Sequence, residues 1–205
     1  MDQSVVYIVE DDATVRQAIV WMLESEELKD QIQVRTFATP KDLLSQFDPQ
    51  SSGCLVLDLR LPEMSGLELR DALVERGCEL PFIVITGSGE VPDVISAMRQ
   101  GAIDFIEKPL KTEQLCSSVS RAIAKDAQRR TLRQTREKTN QMLDSLTRRE
   151  REVLNLVVAG LLNKQIAREL NLSIKTIESH RANIMKKLSA DSVAQLVRMI
   201  VENRD

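Results

Sequence analysis

Three short apolar stretches of this 205-residue chain are followed by residues that can hold a cation or a phosphoryl group. The stretches are 5–9, 54–57 and 103–106, and the residues are Asp11 with Asp12, Asp58, and Lys108. Carboxylates suit a hard divalent cation such as Mg²⁺, and a lysine ammonium can hold a phosphoryl oxygen. A carboxylate can also attack phosphorus and form an aspartyl phosphate. These residue types predict phosphoryl transfer, with Asp58 as the nucleophile.

The apolar stretches also predict the fold that would bring these groups together. Five runs rich in Val, Ile and Leu alternate with segments of helical spacing, at 5–9, 32–37, 54–57, 82–85 and 103–106. This alternation is typical of a doubly wound α/β domain with a parallel sheet. Since ligands bind at the carboxyl ends of such strands, the acidic residues and Lys108 should converge there.

Each of these residues also has an ordinary explanation. Asp11 and Asp12 could cap the next helix, Asp58 could cap a loop, and Lys108 could be a surface charge. Their order on one alternating pattern favours a shared site.

Charge is distributed unevenly along the chain. Residues 1–122 carry 11 Lys/Arg against 21 Asp/Glu, whereas residues 123–205 carry 17 against 10. The basic half is therefore expected to meet a polyanion, unless its charge only solvates a helical surface. No apolar run approaches the roughly 18 residues of a membrane helix. Three cysteines without CxxC spacing are typical of a reducing cytoplasm, where we expect the protein.

The C-terminal segment 144–205 has helical spacing only and predicts four helices. Thr147 and Glu150 form a capping box for the first helix, and Asn163 opens the second. Ser173 caps the third, which holds Ile174, Ile177, Ile184 and Leu188. Of these, Ile177, Ile184 and Leu188 are predicted to face the core. Two short helices joined by a tight turn indicate a helix-turn-helix. The linker 123–143 could be a stiff polar helix or a flexible segment.

The first half resembles the receiver domain of two-component response regulators over residues 4–122. The residues that carry the resemblance are Glu10-Asp11-Asp12, Asp58 with Leu61-Pro62 and Gly66, Thr86-Gly87, and Asp104 to Pro109. The resemblance implies an α/β receiver with a five-stranded parallel sheet in the order 2-1-3-4-5.

The same resemblance implies roles for the site residues. Asp58 would accept the phosphoryl group, and Mg²⁺ would be held by Asp11, Asp12, Asp58 and the Arg60 carbonyl. Thr86 would supply a switching hydroxyl and Phe105 the switch aromatic. Lys108 would pair with the phosphoryl group beside a cis peptide to Pro109. Ser88 stands where relatives often carry histidine, so the dephosphorylation rate stays open.

The second half resembles the LuxR-type helix-turn-helix, and the whole chain is similar to the NarL/FixJ class, closest to FixJ. This implies a receiver at 1–122, a linker at 123–143 and an all-α four-helix DNA-binding domain at 144–205. Base contacts are expected from Glu178, Ser179 and Ala182. The other expected DNA contacts are Asn163, Lys164, Lys175, Thr176, His180, Arg181, Asn183, Lys186 and Lys187. For Lys186 and Lys187 a solvated helix end is an equal alternative.

The resemblance predicts a phosphorylation-activated transcription regulator. Its expected partners are a sensor histidine kinase, double-stranded DNA, RNA polymerase and a second copy after phosphorylation, with no membrane partner. Catalysis beyond slow autodephosphorylation is not expected. One alternative binds DNA independently of phosphorylation, which the complete acidic site disfavours. Another is a haloacid-dehalogenase-like phosphatase, but Arg60 stands where that class needs a second aspartate.

Overall fold

The computed structural model describes residues 3–24, 28, 30–87 and 91–202. The strands are β1 (Ser4–Val9), β2 (Ile32–Phe37), β3 (Gly53–Asp58), β4 (Phe82–Thr86) and β5 (Asp104–Glu107). The helices are α1 (Ala13–Leu23), α2 (Pro40–Gln46), α3 (Gly66–Glu75), α4 (Val91–Arg99), α5 (Thr112–Asp144), α6 (Arg148–Val158), α7 (Asn163–Glu169), α8 (Ile174–Lys187) and α9 (Val193–Glu202). The strands are parallel and form one sheet in the order β2-β1-β3-β4-β5, which confirms the predicted receiver fold.

Helices cover both faces of the sheet, and successive side chains of each strand point to opposite faces. One face carries Ile8, Val56 and Ile85 and packs against α1 and the first turns of α5. The other carries Val9 and Leu57 and packs against α2, α3 and α4. Burial on both sides explains why these strands are continuous apolar runs in the sequence.

Helix α5 is continuous over 33 residues and includes the whole predicted linker. The chain divides within this helix, after Arg130, into two compact units. The first part of α5 is fastened to the sheet by Asp126, which is 2% exposed and accepts the N–H of Gly53 at 3.0 Å. α5 is long but polar, and none of the described helices is both long and apolar enough to span a bilayer.

The second unit contains α6 to α9 and the last turns of α5. The predicted capping box is present: Glu150 N donates to Thr147 Oγ1, and Thr147 N donates to Glu150 Oε2 at 2.8 Å. Ile177 and Ile184 lie in the core as predicted. Ile174, the first residue of α8, has a side chain that is 45% exposed.

Candidate functional site

Asp58 ends β3 at the carboxyl edge of the sheet, and its carboxylate is almost fully buried. Its Oδ1 accepts the N–H of Arg60 at 3.0 Å, and its Oδ2 accepts a hydrogen bond from Lys108 Nζ at 2.6 Å. Gly66 makes this placement possible, since a Cβ there would lie 2.2 Å from the Asp58 carbonyl oxygen. The glycine lets α3 begin directly against the end of β3.

Lys108 follows β5 and joins two carboxylates. Besides Asp58, its ammonium lies 2.7 Å from Glu10 Oε2. The Lys108–Pro109 peptide is cis, as the resemblance implied. Partial burial alone would lower the pKa of Lys108, but the hydrogen bonds that its ammonium donates to Asp58 and Glu10 outweigh this effect and raise the pKa. The lysine therefore stays charged at neutral pH.

Three carboxylates meet at this edge, contributed by Glu10, Asp11 and Asp58. Each offers one oxygen, and these oxygens all lie within 4.8 Å of one another. Glu10 is fully buried, and this burial raises its pKa, although Lys108 opposes the change. Three carboxylates against one ammonium leave an excess of negative charge in a partly buried site. Oxygen donors with that excess fit a hard divalent cation.

Asp12, expected as a metal ligand, is engaged with the backbone of the next helix. Its carboxylate is the N-cap of α1, where Oδ1 accepts the N–H groups of Thr14 at 2.7 Å and Val15 at 3.1 Å. These backbone bonds lower the pKa of Asp12. The three-carboxylate cluster therefore includes Glu10, whereas the Asp12 carboxylate caps α1. The strand pattern could have shown this, because Glu10 continues the Val6–Ile8 face of β1.

Thr86 lies on β4, the strand next to that of Asp58, and Phe105 lies on β5, one strand further. Asp58 pairs with Ile85 across the β3–β4 ladder, so Thr86 is one residue beyond the partner of Asp58. Thr86 is fully buried, and Phe105 is half-buried opposite Val84 on the neighbouring strand. By strand alternation both side chains belong to the sheet face that packs against α4. Ser88 lies outside the described residues.

In the second unit, the predicted DNA-contacting residues fall into two groups. Those exposed on α7 and α8 are Lys164, Lys175, Glu178, Ser179, Ala182, Asn183 and Lys186. Those half-buried are Asn163, Thr176, His180 and Arg181. Two of them contact each other: Arg181 donates to Asn163 Oδ1 at 2.9 Å, which joins α8 to the start of α7.

Lys187, expected to contact DNA phosphates, forms an ion pair inside its own unit. Its ammonium lies 2.7 Å from Glu150 Oε2 and donates to the Ser145 carbonyl at 3.1 Å. Glu150 is buried, and its hydrogen bonds from Lys187 and Thr147 lower its pKa to about 2. This ammonium therefore neutralises a buried carboxylate inside the unit, and a contact with DNA phosphates would compete with that ion pair.

Comparison with known proteins agrees with this arrangement. Residues 6–120 match the response regulator receiver domain family, and residues 144–200 match the family of bacterial regulatory proteins called the luxR family. Nodulation protein W of Bradyrhizobium diazoefficiens is 36% identical over 96% of this chain and 85% of its own length. Transcriptional regulatory protein FixJ of Rhizobium meliloti is 39% identical over 97% of this chain and 96% of its own length.

A solved structure shows the same architecture. Response regulator StyR matches 98% of this chain and 100% of its own, with a TM-score of 0.86 and 38% identity. The chain belongs to the NarL/FixJ-type response regulators, which are phosphorylation-dependent transcription regulators of two-component systems. A histidine kinase and DNA are the partners that this membership implies.

Proposed function

We propose that Asp58 receives the phosphoryl group, and that the receiver then controls DNA binding by α8. The observation that supports this most is the position of Lys108, whose ammonium lies 2.6 Å from Asp58 and 2.7 Å from Glu10. An ammonium fixed beside a nucleophilic carboxylate can follow the charge as it moves onto a phosphoryl oxygen.

Glu10, Asp11 and Asp58, with the Arg60 main-chain carbonyl, are the proposed Mg²⁺ ligands. Bound there, the cation would neutralise charge on the transferring phosphoryl oxygens. In the transfer itself, an Asp58 oxygen attacks phosphorus, and the bond from phosphorus to the donor's histidine nitrogen or acyl oxygen breaks. The leaving group keeps the bonding electrons. The Arg60 N–H holds the other Asp58 oxygen and so orients the carboxylate.

The signal proposed to leave the site runs through Thr86 and Phe105. The Thr86 hydroxyl turns toward the new phosphoryl group, and Phe105 follows by packing, since it lacks a hydroxyl for hydrogen bonding. The phosphoryl group must favour the active arrangement by a few kcal/mol to act as a switch. Slow autodephosphorylation returns the receiver to its resting state.

Two exposed apolar surfaces support a proposed homodimer. In the receiver, α4 exposes Ile95 and Met98 next to β5, and in the second unit α9 exposes Val193 and Val201. Apolar groups on a helix face are suited to contact with a second copy. RNA polymerase is a further proposed partner, because the family regulates transcription. DNA as a partner favours action in the cytoplasm.

The experiment that tests the phosphoacceptor is labelling with acetyl phosphate and Mg²⁺, followed by intact-protein mass spectrometry. The wild type should gain one phosphoryl group, and Asp58→Asn should gain none. Asp12→Asn is the matched control, because asparagine is as good an N-cap as aspartate. Labelling that persists in Asp58→Asn contradicts the proposal.

A further inference from the structure

Ile174 is a branched apolar residue exposed at the start of the helix that is expected to enter DNA. Its side chain is 45% exposed, whereas Ile177 and Ile184 on the same helix are at most 1% exposed. The backbone around it is well fixed, because Ser173 caps α8 and accepts the N–H of Thr176 at 3.0 Å. Single exposed apolar residues are common on proteins, so the position of Ile174 decides its meaning.

Ile174 begins a row of exposed residues along one side of α8. Glu178 and Ala182 follow it at intervals of four residues, and all three are exposed. Lys175 and Lys186 are exposed beside this row on the same helix. Lysines suit phosphates, whereas an apolar side chain such as that of Ile174 does not.

Base edges in the major groove offer a partner for each member of the row. A glutamate accepts from the N4 amino group of cytosine, and an aliphatic side chain packs on the C5 methyl of thymine. The N-terminal part of a recognition helix is the part that contacts base edges. An isoleucine in the first turn of such a helix cannot hydrogen-bond to a phosphate, but its side chain can pack against a thymine methyl group.

We infer that Ile174 is a specificity residue that packs on a thymine methyl in the DNA site. The inference rests on the proposed DNA-binding role of α8. Four residues advance a helix by about 6 Å, which is about two base-pair steps. The thymine therefore lies within about two base pairs of a cytosine that Glu178 contacts.

The test begins with selection of duplexes from a random pool by the full-length protein, with acetyl phosphate and Mg²⁺ and without them. In the selected duplex each thymine is then replaced singly by uracil, which lacks only the C5 methyl. Affinities are measured for the wild type, Ile174→Ala and Ile174→Val. Val74→Ala is the matched control, since Val74 is 43% exposed and lies on α3.

One thymine in each half-site should prove sensitive. Its replacement by uracil should weaken wild-type binding about fourfold, as loss of one buried methyl predicts. The same replacement should cost Ile174→Ala nothing, while Ile174→Val and Val74→Ala should keep the sensitivity. A mere structural role for Ile174 predicts equal loss on every duplex.

Two negative results have different meanings. If the wild type selects a sequence and every thymine can be replaced without loss, or if Ile174→Ala keeps the same sensitive position, the inference about Ile174 is wrong. If the wild type selects no common sequence under either condition, the proposed DNA-binding function fails and the inference fails with it.

Discussion

The ammonium of Lys187, at the end of α8, lies 2.7 Å from the carboxylate of Glu150 at the start of α6. The two residues are separated by 37 positions in the sequence. The same ammonium donates to the carbonyl of Ser145, directly after α5. This pair holds the end of α8 against the start of α6 within the same unit.

Lys187→Ala should therefore lower the stability of the second unit. Removing the lysine leaves the buried carboxylate with fewer partners, and we expect a cost of about 2 kcal/mol. Faster amide hydrogen exchange in α6 and α8 of the full-length protein is the measurement. Lys186→Ala is the matched control: Lys186 is exposed, so exchange should be unchanged while the salt slope of DNA binding falls by about one. The opposite pattern in the two variants contradicts the assignment.

The Glu150 interaction predicts a loss of stability in acid. Hydrogen bonds from Lys187 and Thr147 lower its pKa to about 2 in the folded state, below the unfolded value of about 4.3. A lowered pKa stabilises the fold above the unfolded value, and this contribution disappears as pH falls from about 4.3 toward 2. Glu150→Gln should have a flatter pH dependence of α6 and α8 exchange in this window. Identical curves for the two proteins would show that Glu150 is not responsible.

Arg181 and Asn163 should act together in DNA binding. Arg181→Ala should weaken binding to DNA of any sequence and flatten the salt slope. Because Asn163 holds the guanidinium at 2.9 Å, Asn163→Ala should cost little in a protein that already lacks Arg181. A double-mutant cycle on one duplex should give a coupling of about 1 kcal/mol. Additive losses would mean that the two residues contact DNA independently.

The metal site should distinguish two adjacent aspartates. Asp11 belongs to the three-carboxylate cluster, whereas Asp12 caps α1. We expect Asp11→Asn to require at least about tenfold more Mg²⁺ for half-maximal labelling by acetyl phosphate, since it removes one charged ligand. Asp12→Asn should need the wild-type concentration. If Asp12→Asn shows the larger shift, the original sequence assignment was right.

Much of the fold could be predicted because its strands are short apolar runs that end at polar residues. The strand bounds, the capping box at Thr147 and the exposed face of α8 follow from local patterns. The inward position of Glu10 also follows from strand alternation, since Glu10 continues the Val6–Ile8 face of β1, whereas two adjacent aspartates do not show which of them caps α1. The partners of Asp126 and Lys187 are 73 and 37 residues away, so local sequence could not show them.

The central claim is that phosphorylation of Asp58 controls DNA binding. The most direct test measures the affinity of the full-length protein for its selected duplex, with and without acetyl phosphate and Mg²⁺. The wild type should bind at least about tenfold more tightly with the phosphodonor, which corresponds to about 1.4 kcal/mol, and Asp58→Asn should show no change. Equal wild-type affinity under both conditions, or an equal gain in Asp58→Asn, would contradict the account.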